Sequence, residues 1–467
     1  MDVANNVCTG SVAIGKNALG SGQLTAASNY SVGVGFQSLL NLTVGQENTA
    51  VGAEAGDAIT DGEFNTMLGY GALSTNVSGD YNIAIGGKAL FYSNASAGDG
   101  ENVGIGYGAG LYVSTGVQNT FVGNFAAQGT TGQGLTGADN VCVGWKSGFL
   151  LRVSANNNVI MGSRAGDELL EGLQNVIIGS DAMTNADANE SRNTAVGFAS
   201  LYSMVSDEDP DIYTNNTALG YASGYFVGSG RFNTFLGHAA GYGVDDSGGG
   251  AGSGHTSGNH NTAVGHEAGN LIQGAAHSNT FVGGSAGNTT TTGVENVCLG
   301  YNTDIYDATA TNQIVIGNNL TGTDLDNSVF IGNDTNHIQN DFNADATWSY
   351  SSDRRQKKDI EDIEIGLNFI NDLKPVKYKH KSPSEFPKEW TAYDADDTSP
   401  MGGSDKYYYG FIAQDVKEAI DKYNADDYSA WGVNSDGRQR VSKESIIVTL
   451  VKAVQELSAQ VEELKNK

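Results

Sequence analysis

Residues 48–56 read N-T-A-V-G-A-E-A-G, and residues 65–73, seventeen positions later, read N-T-M-L-G-Y-G-A-L. An asparagine opens each copy, strand-forming residues come next, and Gly52 or Gly69 closes the strand with a residue that permits a tight bend. Followed outward, the element recurs at Gly15, Gly86, Gly106, Gly123 and Gly144, and onward through Gly300, Gly317 and Gly332. About eighteen copies fill residues 11–332, most often 17 residues apart. A period of that size specifies a solenoid, in which each unit covers the apolar face of the next. A second short element, such as A-E-A-G or Y-G-A-L, comes after the repeat glycine, so the expected turn is two short strands and two bends. Asn48, Asn65, Asn82, Asn102, Asn119, Asn140 and Asn175 then stack on one another and join the bends.

Composition separates this region from the rest of the chain. Of 64 glycines, about twice ordinary usage, 58 lie before residue 352, together with 7 Lys or Arg, 31 Asp or Glu and one of the five prolines. The remainder holds 18 basic and 22 acidic residues, so of the formal charge of −28 the repeat region carries −24 and the tail −4. Such a field repels phosphate backbones and anionic lipid, which argues against nucleic acid and membrane insertion. No run of about 18 apolar residues is present to span a bilayer. The opening M-D-V-A-N-N lacks the basic and apolar regions of a secretory signal, so synthesis in a bacterial cytoplasm without a signal peptide is expected. Cys142 and Cys298 occupy one place in two copies, N-V-C-V-G and N-V-C-L-G, where other copies carry a small alanine. With Cys8 they are read as packing residues rather than disulfide or metal ligands.

The N-T-A-V-G-x-x-A-G pattern resembles the head repeats of YadA-type trimeric adhesins over roughly residues 6–340. The resemblance implies a left-handed parallel β-roll with three chains side by side. At about 4.8 Å per turn, the shaft is on the order of 80 Å long. A 17-residue turn encloses little apolar volume, so one chain leaves an apolar stripe along its length, and three chains packing their stripes together remove it. The expected body, residues 1–340, is therefore a homotrimeric, mainly β shaft.

Three longer copies, at Gln128 to Ala138, Met204 to Tyr213 and Gly241 to Asn259, are candidate receptor-facing loops, because insertions that keep the register bulge outward. The residue after the repeat glycine is often aromatic or His, as at Phe36, Tyr70, Tyr107, Trp145, Phe198, Tyr221, His238, His266 and Tyr301. Such a row either packs between turns or stacks on sugar rings. Asp207, Glu208, Asp209 and Asp211 lack the spacing of a calcium loop. His238, His255, His260, His266 and His277 include no H-x-H pair. No metal or cofactor is assigned.

Residues 352–357 read S-D-R-R-Q-K, and beyond them the texture is that of a small α+β domain: an amphipathic stretch from Ile360 to Leu373, L-K-P-V-K-Y, a polar insert from Glu389 to Asp405 and G-F-I-A-Q-D-V. Ile447, Leu450, Val454, Leu457, Val461 and Leu464 alternate by three and four, which predicts a coiled-coil helix over residues 445–466. With S-D-x-R-x-K at its head, the tail from 352 to 467 resembles the peptidase S74 intramolecular chaperone of endosialidases and phage tail fibres; residues 341–351 are a linker. The resemblance implies a domain that trimerises, aligns three β-rich chains and cuts itself off immediately before the motif serine. Carried over, Ser352 is the nucleophile, Lys357 the base, Asp353 and Arg355 the supporting residues, and Ser351–Ser352 the scissile bond. A serine–lysine pair needs no histidine, provided that enclosure lowers the proton affinity of the lysine.

The expected function is a trimeric tail fibre of a phage or phage-tail-like injection particle, located on the virion or the extracellular particle. It binds a bacterial surface receptor, which includes polysaccharides, and attaches to a tail or baseplate protein near its N-terminus. Activity on an external substrate is not expected. The alternatives are a polysaccharide-degrading tailspike, which needs paired carboxylates in a groove, and a YadA-type cell-surface adhesin, which needs a secretion signal and a membrane barrel.

Overall fold

Short strands arise from the repeat chemistry, because Val, Ile and Thr flanking a central apolar residue suit a half-buried extended backbone. The computed structural model describes residues 10–20, 30–94, 98–186, 190–204, 213–243, 258–342, 352–388, 390, 393–399, 407–434 and 437–467. The chain divides into two compact units, Met1–Ser351 and Ser352–Lys467.

In the first unit, eighteen repeat strands among the described residues, from Val12–Ile14 to Ser328–Asn333, pair in parallel and in register. Thr49, Ala50 and Val51 oppose Thr66, Met67 and Leu68, and the same offset holds from turn to turn. About seventeen turns of β-solenoid result. Gln313–Asn318 and Ser328–Asn333 lengthen to six residues, and His337–Asp341 folds back antiparallel on the last of them.

The central residue of each strand points inward. Met67, Phe121, Cys142, Ile160, Phe235, Phe281 and Cys298 are fully buried at this position. Burial pushes the thiols of Cys142 and Cys298 up, which leaves them as inert packing groups. Cys8 lies outside the described residues.

The glycine that ends each strand is demanded by close approach. At Gly52, φ is +144°, and a Cβ there would sit 2.3 Å from the carbonyl oxygen of Gly69 in the next turn. The second element of each repeat differs from the expected strand. It is a tight turn, because residues such as Glu54 (φ 60°) and Gly56 (φ 59°) are left-handed and cannot lie in an extended ladder. Successive turns are still joined there, Glu54 donating to Phe36 O at 2.8 Å and Gly56 to Ala72 O at 2.9 Å.

The residue before each asparagine is also left-handed: Phe64, Tyr81, Glu101, Gln118, Arg192 and Phe232 have φ between 47° and 62°. Such a conformation costs a non-glycine residue about 1 kcal/mol. No residue in this column, from Tyr30 to Asn327, is β-branched, the class that tolerates it least. The compensation lies beside it, in a buried column of asparagines. Asn65 donates its backbone N–H and its Nδ2 to Asn48 Oδ1, both at 3.1 Å, and Nδ2 also to Gly79 O at 3.0 Å. The column continues to Asn296 Oδ1, which accepts from Gln313 N at 2.9 Å.

On the outer face of the sheet, the residues on either side of each strand's central inward residue form two columns. The column before it mixes Thr, Val and Ile; the column after it runs Ile14, Val34, Val51, Leu68 and on to Leu299, Ile316 and Ile331. Neither column contains a charged residue in any of these strands. Ile14 is 56% exposed, Leu68 48% and Leu219 45%.

The second unit packs three helices and two hairpins around Phe369, Leu373, Val416, Ala419, Ile420, Ala430 and Ile446. Helix α1 is Leu367–Asp372, α2 is Ala413–Lys422 and α3 is Lys443–Lys465. Helix thus occupies only the end of the amphipathic stretch, residues 360–366 being irregular. Val376–Tyr378 pairs antiparallel with Tyr408–Gly410, and Trp431–Val433 with Gln439–Val441. Ile446, Thr449 and Ala453 of α3 are buried in this unit, whereas Ile447, Leu450, Val454, Leu457, Val461 and Leu464 are exposed.

Candidate functional site

Residues 352–358 open the second unit, and a single 3₁₀ turn, Arg354–Gln356, shapes them. Asp353 caps that turn, its Oδ1 accepting from Arg355 N at 2.8 Å, the role an aspartate fills by pairing an orphan backbone N–H. The Arg355 guanidinium returns onto the same carboxylate, with Nη2 to Oδ2 at 2.7 Å. This pairing holds the Asp353 carboxyl below the usual range and raises Arg355. Lys357 ends the turn, its N–H bonded to Arg354 O at 3.1 Å.

The capped turn brings the ends of the motif together: Lys357 Nζ lies 2.5 Å from Ser352 Oγ. Here the ammonium donates to the hydroxyl; a neutral amine at the same place would accept the hydroxyl proton. Ser352, Arg354, Arg355, Lys357 and Lys358 are exposed and Asp353 half-buried, so the described residues of one chain do not supply the enclosure a lysine base needs. Ser351, the other side of the expected scissile bond, lies outside the described residues.

Later in the unit, Gly366 at the N-cap of α1 offers no side-chain cap. Glu456 of α3 supplies one from 89 residues away, its Oε2 accepting from Leu367 N at 2.7 Å. Asp372 at the other end of α1 accepts from Lys422 Nζ at 2.7 Å and Tyr423 Oη at 2.6 Å. Tyr428 Oη sits 2.7 Å from Thr449 Oγ1 and donates to Ser445 O at 2.9 Å. Sequence reasoning missed these supports; an uncapped glycine ahead of a helix was the available signal for Glu456.

Elsewhere the candidates separate. Phe198, Tyr221, His238 and His266 form a continuous stack, with centroids 4.9–5.3 Å apart and planes within 14° of parallel. Their faces are covered by one another, so the row packs between turns and leaves mainly ring edges to solvent. Tyr202, Tyr225 and Tyr242 form a second such stack. His238, His266 and Glu267 cluster, but the parallel imidazoles cannot both hold one ion in their planes, and we assign no metal to them. His260 instead stacks on Phe232, and His277 contacts Ser278.

Of the three insertions, Gln128 to Ala138 is largely wall rather than loop: Leu135 is buried and bridges Val113 and Val153, leaving Thr131–Gln133 exposed. Residues 205–212 and 244–257, with the acidic cluster Asp207, Glu208, Asp209 and Asp211 and with His255, lie outside the described residues. So do residues 389, 391–392 and 400–405 of the polar insert.

A β-solenoid and a small α+β unit headed by a serine–lysine contact define the class of architecture. Residues 352–424 match the family model of the chaperone of endosialidase, Peptidase S74. The match lies within the second unit, and with the solenoid it fits a tail-fibre or endosialidase-like protein. No curated protein and no solved structure matches the chain.

Proposed function

We propose that three copies of this chain form a tail fibre of a phage or phage-tail-like injection particle that binds a receptor on a bacterial surface. The S74 domain assembles the three copies and then cuts each chain between Ser351 and Ser352. The observation that carries the reading is the uncharged outer face of the solenoid sheet. Two side-chain columns wide and on the order of 80 Å long, it offers on the order of 800 Å² per chain, the size of one side of a stable interface. Packing that face against two other copies removes it from water, and the exposed a/d stripe of α3 gives the tail its own self-association face.

The cleavage chemistry depends on the position of the nucleophile immediately after the scissile bond. Ser352 Oγ attacks the Ser351 carbonyl carbon while Lys357 takes the hydroxyl proton. The C–N bond breaks, the freed Ser352 amine gains a proton, and an ester joins the two parts. Water then hydrolyses the ester, leaving a carboxylate on Ser351 and restoring the Ser352 hydroxyl. Attachment to a tail or baseplate protein near the N-terminus belongs to the same reading.

Intact mass under denaturing conditions tests it. Two products meeting at Ser351–Ser352 are expected from the wild-type chain. A single uncut chain in a fully assembled particle would remove the peptidase step and leave the tail as a permanent assembly domain.

A further inference from the structure

The hairpin Val376–Tyr378/Tyr408–Gly410 has an exposed face that the serine–lysine site does not use. Lys377 and Tyr409 are register partners on it, and Lys379 and Tyr407 lie one step along. Lys377 Nζ sits 4.0 Å from the Tyr407 ring centroid and Lys379 Nζ 4.9 Å from the same ring. Tyr409 is 72% exposed and Tyr407 55%. Two ammonium groups gathered beside one ring, next to a second, open ring, form a surface for an extended anionic polymer: the cations attract carboxylates, and the rings accept glycine and aliphatic contacts.

We infer that this face docks acidic repeat segments of another copy of the chain before they fold. Charge complementarity selects that occupant, because the repeat region carries 31 acidic residues against 7 basic ones. It is also rich in glycine, and so offers little side-chain bulk to hinder a small platform. Docking would hold acidic segments close to the assembling tails and offset the repulsion that −24 charges set up as turns stack. The inference rests on the chaperone reading of the tail.

The test is refolding of the full chain from denaturant, in the wild type and in Lys377→Glu/Lys379→Glu and Lys377→Arg/Lys379→Arg, at about 0.05 M and about 1 M salt. The expected result is an assembly yield at least five-fold lower for the glutamate pair at low salt. The arginine pair should keep the wild-type yield, and the deficit should close at 1 M salt, where the screening length falls to about 3 Å. Whatever assembles should melt as the wild type does. An unchanged yield at low salt overturns the inference, as does a deficit that ignores salt or comes with a lowered melting point, which would make the face structural. Binding of a polyuronate by assembled wild type, lost in the glutamate pair while refolding is unaffected, also overturns it in favour of a polysaccharide site. Deletion of residues 352–467 separates the two claims. If deletion leaves assembly intact, the chaperone reading fails; if deletion blocks assembly and charge reversal does not, only the docking face fails.

Discussion

Lys357 Nζ contacts Ser352 Oγ at 2.5 Å, and both residues are exposed. Proximity is thus built into a single chain by a six-residue turn, whereas the described residues do not enclose the pair. Ser352→Ala and Lys357→Ala are expected to abolish self-cleavage, a loss of at least about 10²-fold for the proton acceptor. Asp353→Ala, which removes the cap and the exposed ion pair with Arg355, should slow cleavage about 5–10-fold, in line with about 1 kcal/mol for a lost cap and little for a surface pair. The time course of products by intact mass checks all three. An Asp353→Ala variant as inert as Lys357→Ala would give the aspartate a larger role than holding the turn.

The asparagine column makes a second prediction. Asn175 donates Nδ2 to Asn158 Oδ1 at 3.0 Å and to Glu190 O at 2.8 Å, and its Oδ1 accepts from Asn193 N at 2.9 Å. Asn175→Ala leaves buried donors and acceptors unpaired, at about 1–3 kcal/mol each. The thermal midpoint of the shaft should fall by several degrees, while Thr131→Ala, exposed in the Gln128 to Ala138 insertion, should move it little. Equal effects would deny the column its part in stability.

Asp304 links the shaft to pH. Burial pushes its carboxyl up to about 6 from an ordinary 3.8, despite N–H donors from Thr289 and Ile305. The folded chain therefore holds this proton more tightly than the unfolded chain. Its ionisation costs stability above about pH 6, on the order of 3 kcal/mol, and the cost shrinks as pH falls toward 4. The melting point of wild type relative to Asp304→Asn should rise on going from pH 7 to pH 5. A difference that stays flat with pH would contradict the placement of that carboxyl.

Glu456 reaches from α3 to the first N–H of α1. Glu456→Ala should destabilise the tail unit by about 1–2 kcal/mol, read as a lower denaturation midpoint, because an N–H of α1 then lacks its partner. If the midpoint is unchanged, water replaces the carboxylate at no cost.

Much of the shaft is legible in the sequence alone. The repeat glycines, the strand residues between them and the opening asparagines each act within one turn or on the next, so a periodic sequence states its own contacts. Gly52 against Gly69 and Asn48 against Asn65 are the same relation read seventeen residues apart. The second element reads as a strand because A-E-A-G has apolar alternation, whereas its backbone signs, left-handed at Glu54 and Gly56, are set by the need to close a 17-residue turn. Leu135 reads as part of a bulging loop because length alone does not say that a leucine in the insertion finds Val113 and Val153. Spacing and resemblance together suggest the Ser352–Lys357 contact, but Glu456 and Tyr428 act across tens of residues with no period to announce them.

The central claim, that the uncharged sheet face is covered by two further copies, is tested most directly by the native mass of the purified full-length protein beside Leu219→Lys/Leu236→Lys. Both leucines are more than two-fifths exposed on that face in one chain, so the fold of the chain itself should tolerate the change. The account predicts three chains for the wild type and loss of the trimer in the lysine variant with its β-rich circular dichroism retained. A monomeric wild type, or a variant still trimeric with two lysines in that face, would contradict it.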